Sequence, residues 1–249
     1  MTSARTAVKS KILVVDVGGT HVKLLATGQN EAKEFPSGSL LTPKEMVASV
    51  KKLAGNWKFD VVAIGYPGPV LNNRPVAEPH NLGCGWVAFD YEAAFRCPTK
   101  LVNDAVMQAL GGYRGGKMLF LGLGTGLGTA MIANGFVEPM ELGHLPYKKS
   151  TYEDYVGQRG LERLGKKRWR QHVAAVVELL RSALEPDDIV LGGGNAEKLT
   201  TLPAGCRFGG NANAFVGGFQ LWEHADKYRR THSDRDRSST RPTGGQGSR

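Results

Sequence analysis

The residues with the clearest potential for chemistry lie at the ends of apolar runs, where a carboxylate precedes a glycine turn or a helix. Asp16 is followed by Gly18-Gly19-Thr20, and Asn103-Asp104 ends a short β-branched run before a helical pattern. A carboxylate in such a place can act as a base or hold Mg²⁺, often through water. Glycine has no Cβ, so an anion can approach the backbone N–H groups of the turn. The two features predict a site that handles phosphate, although Asp104 alone would equally suit a helix N-cap.

The second half of the chain repeats the order of strand, glycine turn and strand. Gly124-Thr125-Gly126 joins the apolar run Met118–Leu123 to Thr129–Ala133, and Gly192-Gly193-Gly194 ends a last run at Ile189–Leu191. This repetition predicts an α/β fold with an internal duplication. Two such glycine hairpins facing each other would offer N–H groups to one phosphate chain from both sides.

Helical signals lie between the strands. Thr42-Pro43-Lys44-Glu45 has the capping residues of a helix start, and this helix should end near Gly55. Apolar residues recur at helical spacing in Arg168–Leu184, and Asn213–Trp222 is predicted to be a closing helix. Each helix would cover one face of a sheet.

Two familiar nucleotide-binding motifs are incomplete. Gly111 to Lys117 has the G-x-x-x-x-G-K spacing, but Met118 stands where a phosphate loop needs Ser or Thr. The glycine-rich run Gly122–Gly128 contains no G-x-G-x-x-G frame. The sequence therefore argues against a P-loop enzyme and against a dinucleotide-binding fold.

The 249 residues carry a net charge of +9, concentrated in two segments. Lys148–Arg170 has eight basic and three acidic residues, and it could be a solvated helical face or a binding strip for a polyanion. Residues 225–249 have seven basic and three acidic residues with few apolar ones, which predicts a disordered basic tail. Residues 1–10 are expected to be a flexible N-terminus.

Cysteine content and hydropathy narrow the class of protein. The three cysteines, Cys84, Cys97 and Cys206, have no C-x-x-C spacing, so we expect neither a disulfide framework nor a zinc knuckle. No apolar run approaches the roughly 18 residues that span a bilayer. We therefore expect a cytoplasmic protein with no membrane partner.

In combination, these motifs resemble the repressor–ORF–kinase (ROK) family of sugar kinases, and most closely its short, zinc-free polyphosphate glucokinases. The match runs in family order over about residues 11–222. It is carried by Asp16–Thr20, Tyr66–Pro69, Leu101–Asp104, Gly122–Gly128, Glu141–His144 and Leu191–Gly194.

The resemblance implies an actin/hexokinase-like fold of two RNase H-like domains, residues 11–103 and 104–224, with the substrates in the cleft between them. It also implies that the Asp104 carboxylate is the catalytic base for the 6-hydroxyl of glucose and that Asp16 binds Mg²⁺. The implied sugar contacts are Asn103, Glu141, His144, Gly68 and Asn81. The implied phosphate contacts are Gly18, Gly19, Thr20, Gly124, Thr125 and Gly126, with Gly192, Gly193 and Gly194 lining a nucleoside pocket. Lys23 could also meet donor phosphate, or could be an ordinary exposed lysine of its strand.

The chain departs from the wider family in one respect. Many members place a cysteine-rich zinc loop after the Glu-x-Gly-His motif, and that loop supplies a further sugar-contacting Glu. Leu145–Gly165 has no cysteine, so no zinc is expected, and His144 should contact sugar rather than metal.

The resemblance thus implies a glucokinase that uses polyphosphate, ATP or both, and that forms a homodimer. One alternative is an ATP-only kinase for mannose, fructose or an amino sugar, and another is a catalytically inactive, sugar-responsive protein. A DNA-binding regulator is disfavoured because only about ten residues precede the first strand, which is too few for a helix-turn-helix unit. No nucleic acid partner is expected.

Overall fold

The structure, a computed structural model, describes residues 10–210 and 212–223. The expectations for residues 1–9 and for the basic tail at 225–249 lie outside the described residues. The elements are, in chain order, β1 (Ile12–Val17), β2 (His21–Ala26), β3 (Lys33–Pro36), α1 (Pro43–Ala54), β4 (Val61–Tyr66), β5 (Val70–Leu71), β6 (Arg74–Pro75), α2 (Tyr91–Phe95), β7 (Thr99–Asn103), α3 (Asp104–Gly112), β8 (Lys117–Leu123), β9 (Leu127–Ala133), β10 (Phe136–Met140), β11 (Pro146–Tyr147), β12 (Ser150–Thr151), α4 (Tyr152–Val156), α5 (Gln158–Leu184), β13 (Asp188–Gly192), β14 (Cys206–Phe208) and α6 (Asn213–Glu223).

Two five-stranded sheets have matching strand orders, β3-β2-β1-β4-β7 and β10-β9-β8-β13-β14. In each sheet, the three strands that come first in the chain pair antiparallel to one another. The earliest of them, β1 in one sheet and β8 in the other, also pairs in parallel with the next strand of its sheet, β4 or β13. In both sheets a glycine turn joins the first strand to the second. The internal duplication predicted from the sequence is therefore confirmed.

Alternating side chains on the central strands define the layers. In β1, Ile12 and Val14 pack into the core that includes α3 and α6, whereas Leu13 and Val15 pack into the core that includes α1 and α2. Successive side chains of a strand point to opposite faces, so Asp16 lies on the face of Ile12 and Val14, towards α3. In β8 the same alternation separates the core shared with α3 from the core shared with α5.

Helices α3 and α6 lie between the two sheets and pack against each other without side chains at the closest points. A Cβ built on Gly217 of α6 would collide with the carbonyl oxygen of Met107 in α3, and one on Gly111 would collide with the backbone of Asn213. Helix α6 also reaches the first sheet, where the Trp222 indole N–H donates to the Val62 carbonyl oxygen at 3.0 Å. This close contact joins the two halves, and the division into domains at residue 104 stays a prediction.

Most predicted elements are present, with some differences at their ends. The capping box of α1 is confirmed, because Thr42 Oγ1 accepts the Glu45 N–H and Glu45 Oε2 accepts the Thr42 N–H. Helix α5 starts at Gln158 instead of Arg168, and it is interrupted at Gly165, where φ is 70°. A break that needs a left-handed glycine conformation hides the first part of the helix from a search for helical periodicity.

The described residues contain no helix that is both long enough and apolar enough to span a membrane. Within the same residues, all three cysteines are free thiols.

The contact between α3 and α6 leads to a stability prediction. Gly217→Ala should lower the free energy of unfolding by about 1–3 kcal/mol or more, because the new methyl group overlaps a backbone carbonyl. A glycine-to-alanine change inside an unconstrained helix would instead raise stability by up to about 1 kcal/mol. Urea unfolding measures the difference.

Gly210→Ala is the matched control, since a Cβ on Gly210 would meet no atom within 4 Å. A Gly217→Ala variant as stable as the control would contradict the close packing of the two helices.

Candidate active site

A cleft of about 510 Å³ lies between the two sheets and is lined by residues from both halves of the chain. A slightly larger depression, of about 570 Å³, lies beside the β5–β6 hairpin and α2 and contains none of the predicted site residues. The predicted site residues that line the cleft are Gly19, Gly68, Asn81, Asn103, Asp104, Gly124, Thr125, Gly126, Glu141, His144 and Gly193. The other six predicted residues are not part of this lining, namely Asp16, Gly18, Thr20, Lys23, Gly192 and Gly194.

The two glycine hairpins face each other across this cleft. A Cβ built on Gly19 would lie 3.5 Å from Thr125 Oγ1 and 3.5 Å from the Cβ of Asn81. Gly19 belongs to the turn between β1 and β2, and Thr125 to the turn between β8 and β9. The duplicated fold thus brings together two turns that are about a hundred residues apart in the sequence.

In the first hairpin, two carbonyl groups are bonded to Ser37, which is not part of the cleft lining. Ser37 donates its hydroxyl to the Gly18 carbonyl at 2.7 Å and its N–H to the Thr20 carbonyl at 2.9 Å. The Gly18 N–H donates to the His21 carbonyl, which closes the turn. Among the described residues, no acceptor is bonded to the N–H groups of Gly19 and Thr20. These two donors are therefore available to an anion.

The second hairpin has the same arrangement. The Gln158 N–H, at the start of α5, donates to the carbonyls of Gly124 at 2.9 Å and Thr125 at 3.1 Å. The side-chain amide of Asn195 also donates to the Gly124 carbonyl, at 3.0 Å. In the part of the chain that the structure describes, the N–H groups of Thr125 and Gly126 have no protein acceptor. Backbone donors are thus available on both sides of the cleft.

Two partly buried carboxyl groups, those of Asp16 and Asp104, lie close to the hairpins. Burial, with a smaller contribution from the nearby charge of Asp16, raises the pKa of Asp104 to about 7 against the lowering effect of the Ala105 N–H. Burial also raises the pKa of Asp16 to about 6, although Lys23 lowers it. A carboxyl group that titrates near neutral pH is suited to take up a proton in catalysis.

Lys23 lies directly opposite Asp16 in the antiparallel pairing of β1 with β2. Residues opposite each other in such a pair project from the same face of the sheet. Lys23 is partly buried, and its positive charge lowers the pKa of Asp16. The structure therefore places it as a neighbour of the partly buried carboxylates rather than in the cleft lining.

The residues around Asp16 suit a Mg²⁺ ion that keeps several waters better than a metal ion held entirely by protein ligands. The described residues contain no group of three or more His, Cys, Asp or Glu side chains that could hold a metal ion. Mg²⁺ usually keeps several waters and is held by one or two carboxylates together with substrate phosphates. One partly buried aspartate close to backbone N–H donors is such a donor set. Mg²⁺ at Asp16 stays a prediction, as does the expectation that zinc is not bound.

Asn103 has a structural role as well as a place in the cleft. Its side-chain oxygen accepts the N–H groups of Ala105 at 2.9 Å and Val106 at 3.2 Å, so Asn103, and not Asp104, is the N-cap of α3. One amide hydrogen of Asn103 donates to the Gly68 carbonyl at 3.0 Å. The other amide hydrogen is left for a ligand, and the cap holds Asp104 at the first turn of the helix.

The opposite wall contains Glu141, His144 and a residue that the sequence analysis did not single out, Glu153. Glu153 lies at the start of α4 and lines the cleft, with its carboxylate 4.0 Å from His144 Nε2. A Cβ on Gly126 would lie 2.5 Å from Glu153 Oε2, so the carboxylate also borders the second hairpin. Burial raises the pKa of Glu141, with opposing effects of His144 and Glu153. No motif marked Glu153, and only its place in the first turn of α4, after the N-capping Thr151, could have indicated that it is fixed in position.

An aromatic cluster holds this wall in place. The rings of Tyr147, Tyr152, Tyr155 and His172 pack against one another, with centroid distances of 4.9–5.8 Å between the contacting pairs. The Tyr147 hydroxyl also forms a 3.1 Å hydrogen bond with His172 Nδ1. Apolar contact and one hydrogen bond thus fix the β11–β12 hairpin and α4 to α5, in a segment that has no cysteine.

The third glycine turn, Gly192–Gly194, lies against the end of β8 that leads into the second hairpin. Gly193 has φ of 80° and lines the cleft, and a Cβ there would lie 2.5 Å from the Leu123 carbonyl oxygen. Gly192 packs on the ring of Phe120, whereas a Cβ on Gly194 would meet no atom within 4 Å. Asn195 then anchors the turn, because its N–H donates to the Leu123 carbonyl at 2.9 Å.

Duplicated sheets with a cleft between them define the class of hexokinase-like kinase folds, and solved structures bear this out. The inorganic polyphosphate/ATP-glucomannokinase of Arthrobacter sp. strain KM superposes with a TM-score of 0.76 at 21% identity, covering 87% of this chain and 99% of that one. A ROK family glucokinase from Streptomyces griseus, solved with glucose and AMPPNP, has a TM-score of 0.72 at 16% identity, covering 86% and 99%. Residues 12–160 match the ROK family. The chain therefore belongs to the ROK family.

Curated relatives are similar over different spans. A glucokinase of Halalkalibacterium halodurans is 34% identical over 143 residues, which cover 49% of this chain and 43% of that protein. A polyphosphate glucokinase of Mycobacterium tuberculosis is 27% identical over 210 residues, covering 74% of this chain and 77% of that protein. The matched part of this chain thus spans less than half the length of the Halalkalibacterium halodurans glucokinase.

The raised pKa of Asp104 leads to a prediction for stability. The unfolded carboxyl ionises near its ordinary value of 3.8, whereas the folded one ionises at about 7. The native state therefore binds more protons between these pH values, and stability falls as pH rises through this window. Asp104→Asn cannot ionise, so it should be more stable than the wild type by about 2 to 4 kcal/mol at pH 8 and by almost nothing near pH 4.

Urea unfolding at several pH values measures this gain, with Glu31→Gln as a control at an exposed carboxylate. A gain that is the same at all pH values, or a loss at pH 8, would show that Asp104 is not held in a costly ionised form.

Proposed function

We propose that this chain is a sugar kinase that transfers a phosphoryl group from polyphosphate, ATP or both to the 6-hydroxyl of glucose. One observation carries the proposal. Two hairpins, whose N–H groups at Gly19, Thr20, Thr125 and Gly126 have no acceptor among the described residues, face each other beside a partly buried carboxyl group that lines the same cleft. Phosphoryl transfer depends mainly on positioning and on charge neutralisation, and this arrangement supplies both.

In this mechanism the Asp104 carboxylate accepts the proton of the sugar hydroxyl as that oxygen attacks the terminal phosphorus of the donor. The N–H groups of Gly19, Thr20, Thr125 and Gly126 hold the phosphate oxygens as negative charge moves towards the leaving group. Mg²⁺ held at Asp16 would neutralise part of the donor's charge. The proton ends on Asp104, whose raised pKa suits it to this role.

The sugar would lie between α3 and the wall that contains Glu141, His144 and Glu153. Carboxylates and an imidazole at such a wall can accept and donate hydrogen bonds to several hydroxyl groups of one ring. Asn103 would contribute its remaining amide hydrogen from the other side. The glucokinases among the relatives and the glucose-bound Streptomyces griseus structure support glucose as the acceptor.

Polyphosphate as a donor is supported by the polyphosphate glucokinase of Mycobacterium tuberculosis and by the charge on α5. Lys166, Lys167 and Arg168 are exposed, and no ion pair of theirs occurs in the described part of the chain. Helix α5 begins at the second hairpin, which its Gln158 N–H contacts. A long anion leaving the cleft at this hairpin could follow the helix.

The role of Asp104 predicts a selective loss of turnover. Asp104→Ala should lower kcat by about 10² to 10⁴, because a positioned base contributes that much to rate, while glucose still binds measurably. In the wild type, kcat/KM for glucose should fall below about pH 7 as Asp104 takes up a proton. Coupled-enzyme kinetics and glucose titration calorimetry measure the two effects.

Asp90→Ala is the control for loss of an aspartate, because Asp90 caps α2 away from the cleft. Near-normal turnover in Asp104→Ala would remove Asp104 from the role of base. Turnover with mannose or an amino sugar but not with glucose would favour the alternative acceptors.

The exposed cations of α5 at residues 166–168, here called the basic strip, predict that the two donors differ in the salt dependence of their turnover. With polyphosphate, kcat/KM should fall about tenfold or more between 50 and 200 mM salt if three or four cations contact the chain, by analogy with counterion release from nucleic acids. ATP has only three phosphates, so its salt dependence should be weaker. Initial rates with both donors at fixed free Mg²⁺ measure the slopes.

A Lys166→Gln/Lys167→Gln variant should reduce the slope for polyphosphate and leave that for ATP unchanged. Equal slopes for the two donors in the wild type would show that the strip is a solvated face. Turnover with ATP alone would restrict the proposal to an ATP-dependent kinase.

A further inference from the structure

The cleft lacks side-chain cations of its own, although its proposed donor is a polyanion. Its lining includes four carboxyl groups, those of Glu78, Asp104, Glu141 and Glu153, and among the described residues it contains no lysine or arginine. Backbone N–H groups and Mg²⁺ can neutralise the phosphates at the reacting end of the donor. Phosphates farther along the donor need cations at the edge of the cleft.

Two cations lie next to the second hairpin, and they differ in their partners. Arg159 forms ion pairs with Glu153 at 3.7 Å and with Asp154 at 3.1 Å, so carboxylates already neutralise its charge. Lys198 donates from Nζ to the side-chain oxygen of Asn195 at 2.5 Å, which is a neutral acceptor. Within residues 10–210 and 212–223, Lys198 forms no ion pair.

A chain of hydrogen bonds connects Lys198 to the donor site. The buried side chain of Asn195 accepts from Lys198 on its oxygen and donates from its nitrogen to the Gly124 carbonyl at 3.0 Å. Only one amide group therefore separates the ammonium from the second hairpin. The same amide nitrogen lies 3.0 Å from the side-chain oxygen of Gln158, which fixes its orientation.

The backbone of Lys198 is fixed as well. The Arg170 guanidinium donates two hydrogen bonds to the Lys198 carbonyl, at 2.8 and 2.5 Å. Between Gly193, which lines the cleft, and Lys198 lies Gly194, which faces open space. The ammonium is thus held at one place, one amide group away from the second hairpin, and is not a freely moving surface charge.

We infer that Lys198 is a donor-binding residue that contacts the outer phosphates of a condensed phosphate chain and favours that donor over ATP. The inference rests on the proposed function. Beyond the phosphates that the hairpins hold, polyphosphate continues as charged units, whereas ATP continues as a neutral ribose and adenine. A cation beyond the hairpins therefore attracts polyphosphate more strongly than ATP.

The test compares Lys198→Met, which keeps the apolar stem and removes the charge, with Lys198→Arg, which keeps the charge. In Lys198→Met, the KM for long-chain polyphosphate should rise about tenfold, as for the loss of one charge-assisted hydrogen bond to phosphate. The KM for ATP should rise about twofold at most, and that for glucose should not change. The slope of log(kcat/KM) for polyphosphate against log salt should fall by about 0.7, the value for one phosphate contact.

Lys198→Arg should restore most of the affinity for polyphosphate, and Lys58→Met is the matched control at an exposed lysine in the loop after α1. An unchanged KM for polyphosphate in Lys198→Met would overturn the inference. Equal rises for polyphosphate, ATP and glucose would also overturn it, because they would indicate a general disturbance of the fold.

Titration calorimetry with long-chain polyphosphate separates this inference from the proposed function. If the protein phosphorylates no sugar, the proposed function fails, but weaker binding of long-chain polyphosphate by Lys198→Met than by the wild type would still support the role of Lys198. Equal binding by the two proteins would overturn that role, whether or not the wild type is active.

Discussion

A polyanion can bind in a cleft lined by carboxyl groups only where backbone dipoles and bound cations outweigh their repulsion. This constraint accounts for the construction of the cleft. In each hairpin the carbonyl groups are bonded elsewhere, to Ser37 in the first and to Gln158 and Asn195 in the second. Among the described residues, the N–H groups of Gly19, Thr20, Thr125 and Gly126 have no protein acceptor. At Gly19 and Gly126 there is also no side chain that would keep phosphate at a distance.

The distance between the hairpins depends on the packing of the whole molecule. Each hairpin belongs to its own sheet, and α3 and α6 separate the sheets with glycine at their closest contact. Helix α3 also carries Asp104 in its first turn, where the cap at Asn103 fixes it. The same helix therefore sets both the width of the cleft and the position of the candidate base. The cost of burying two carboxyl groups close to the hairpins appears in their raised pKa values.

The sequence predicted the features that depend on local chemistry. The glycine turns, the capping box at Thr42 and the duplicated strand order follow from residue types at short spacing, and the structure has all three. The meeting of Gly19 with Thr125 was a consequence of the predicted duplication. These elements are strongly determined because glycine, capping residues and β-branched runs each favour one conformation.

Features that depend on long-range packing were not predictable in the same way. Glu153 reaches the cleft only because the aromatic cluster fixes α4 against α5, and its rings come from separate segments of the chain. The early start of α5 was hidden by the break at Gly165. No sequence motif marks Lys198, and its connection to the second hairpin depends on the side chain of Asn195. The roles of the individual site residues stay predictions.

The most direct measurement is a crystal structure of the full chain with glucose, Mg²⁺ and a non-hydrolysable phosphate donor. The account predicts that the donor's terminal phosphates lie between residues 18–20 and 124–126, with the Asp104 carboxylate within hydrogen-bond distance of the glucose 6-hydroxyl. Donor density outside this pair of hairpins, or a 6-hydroxyl directed away from Asp104, would contradict it.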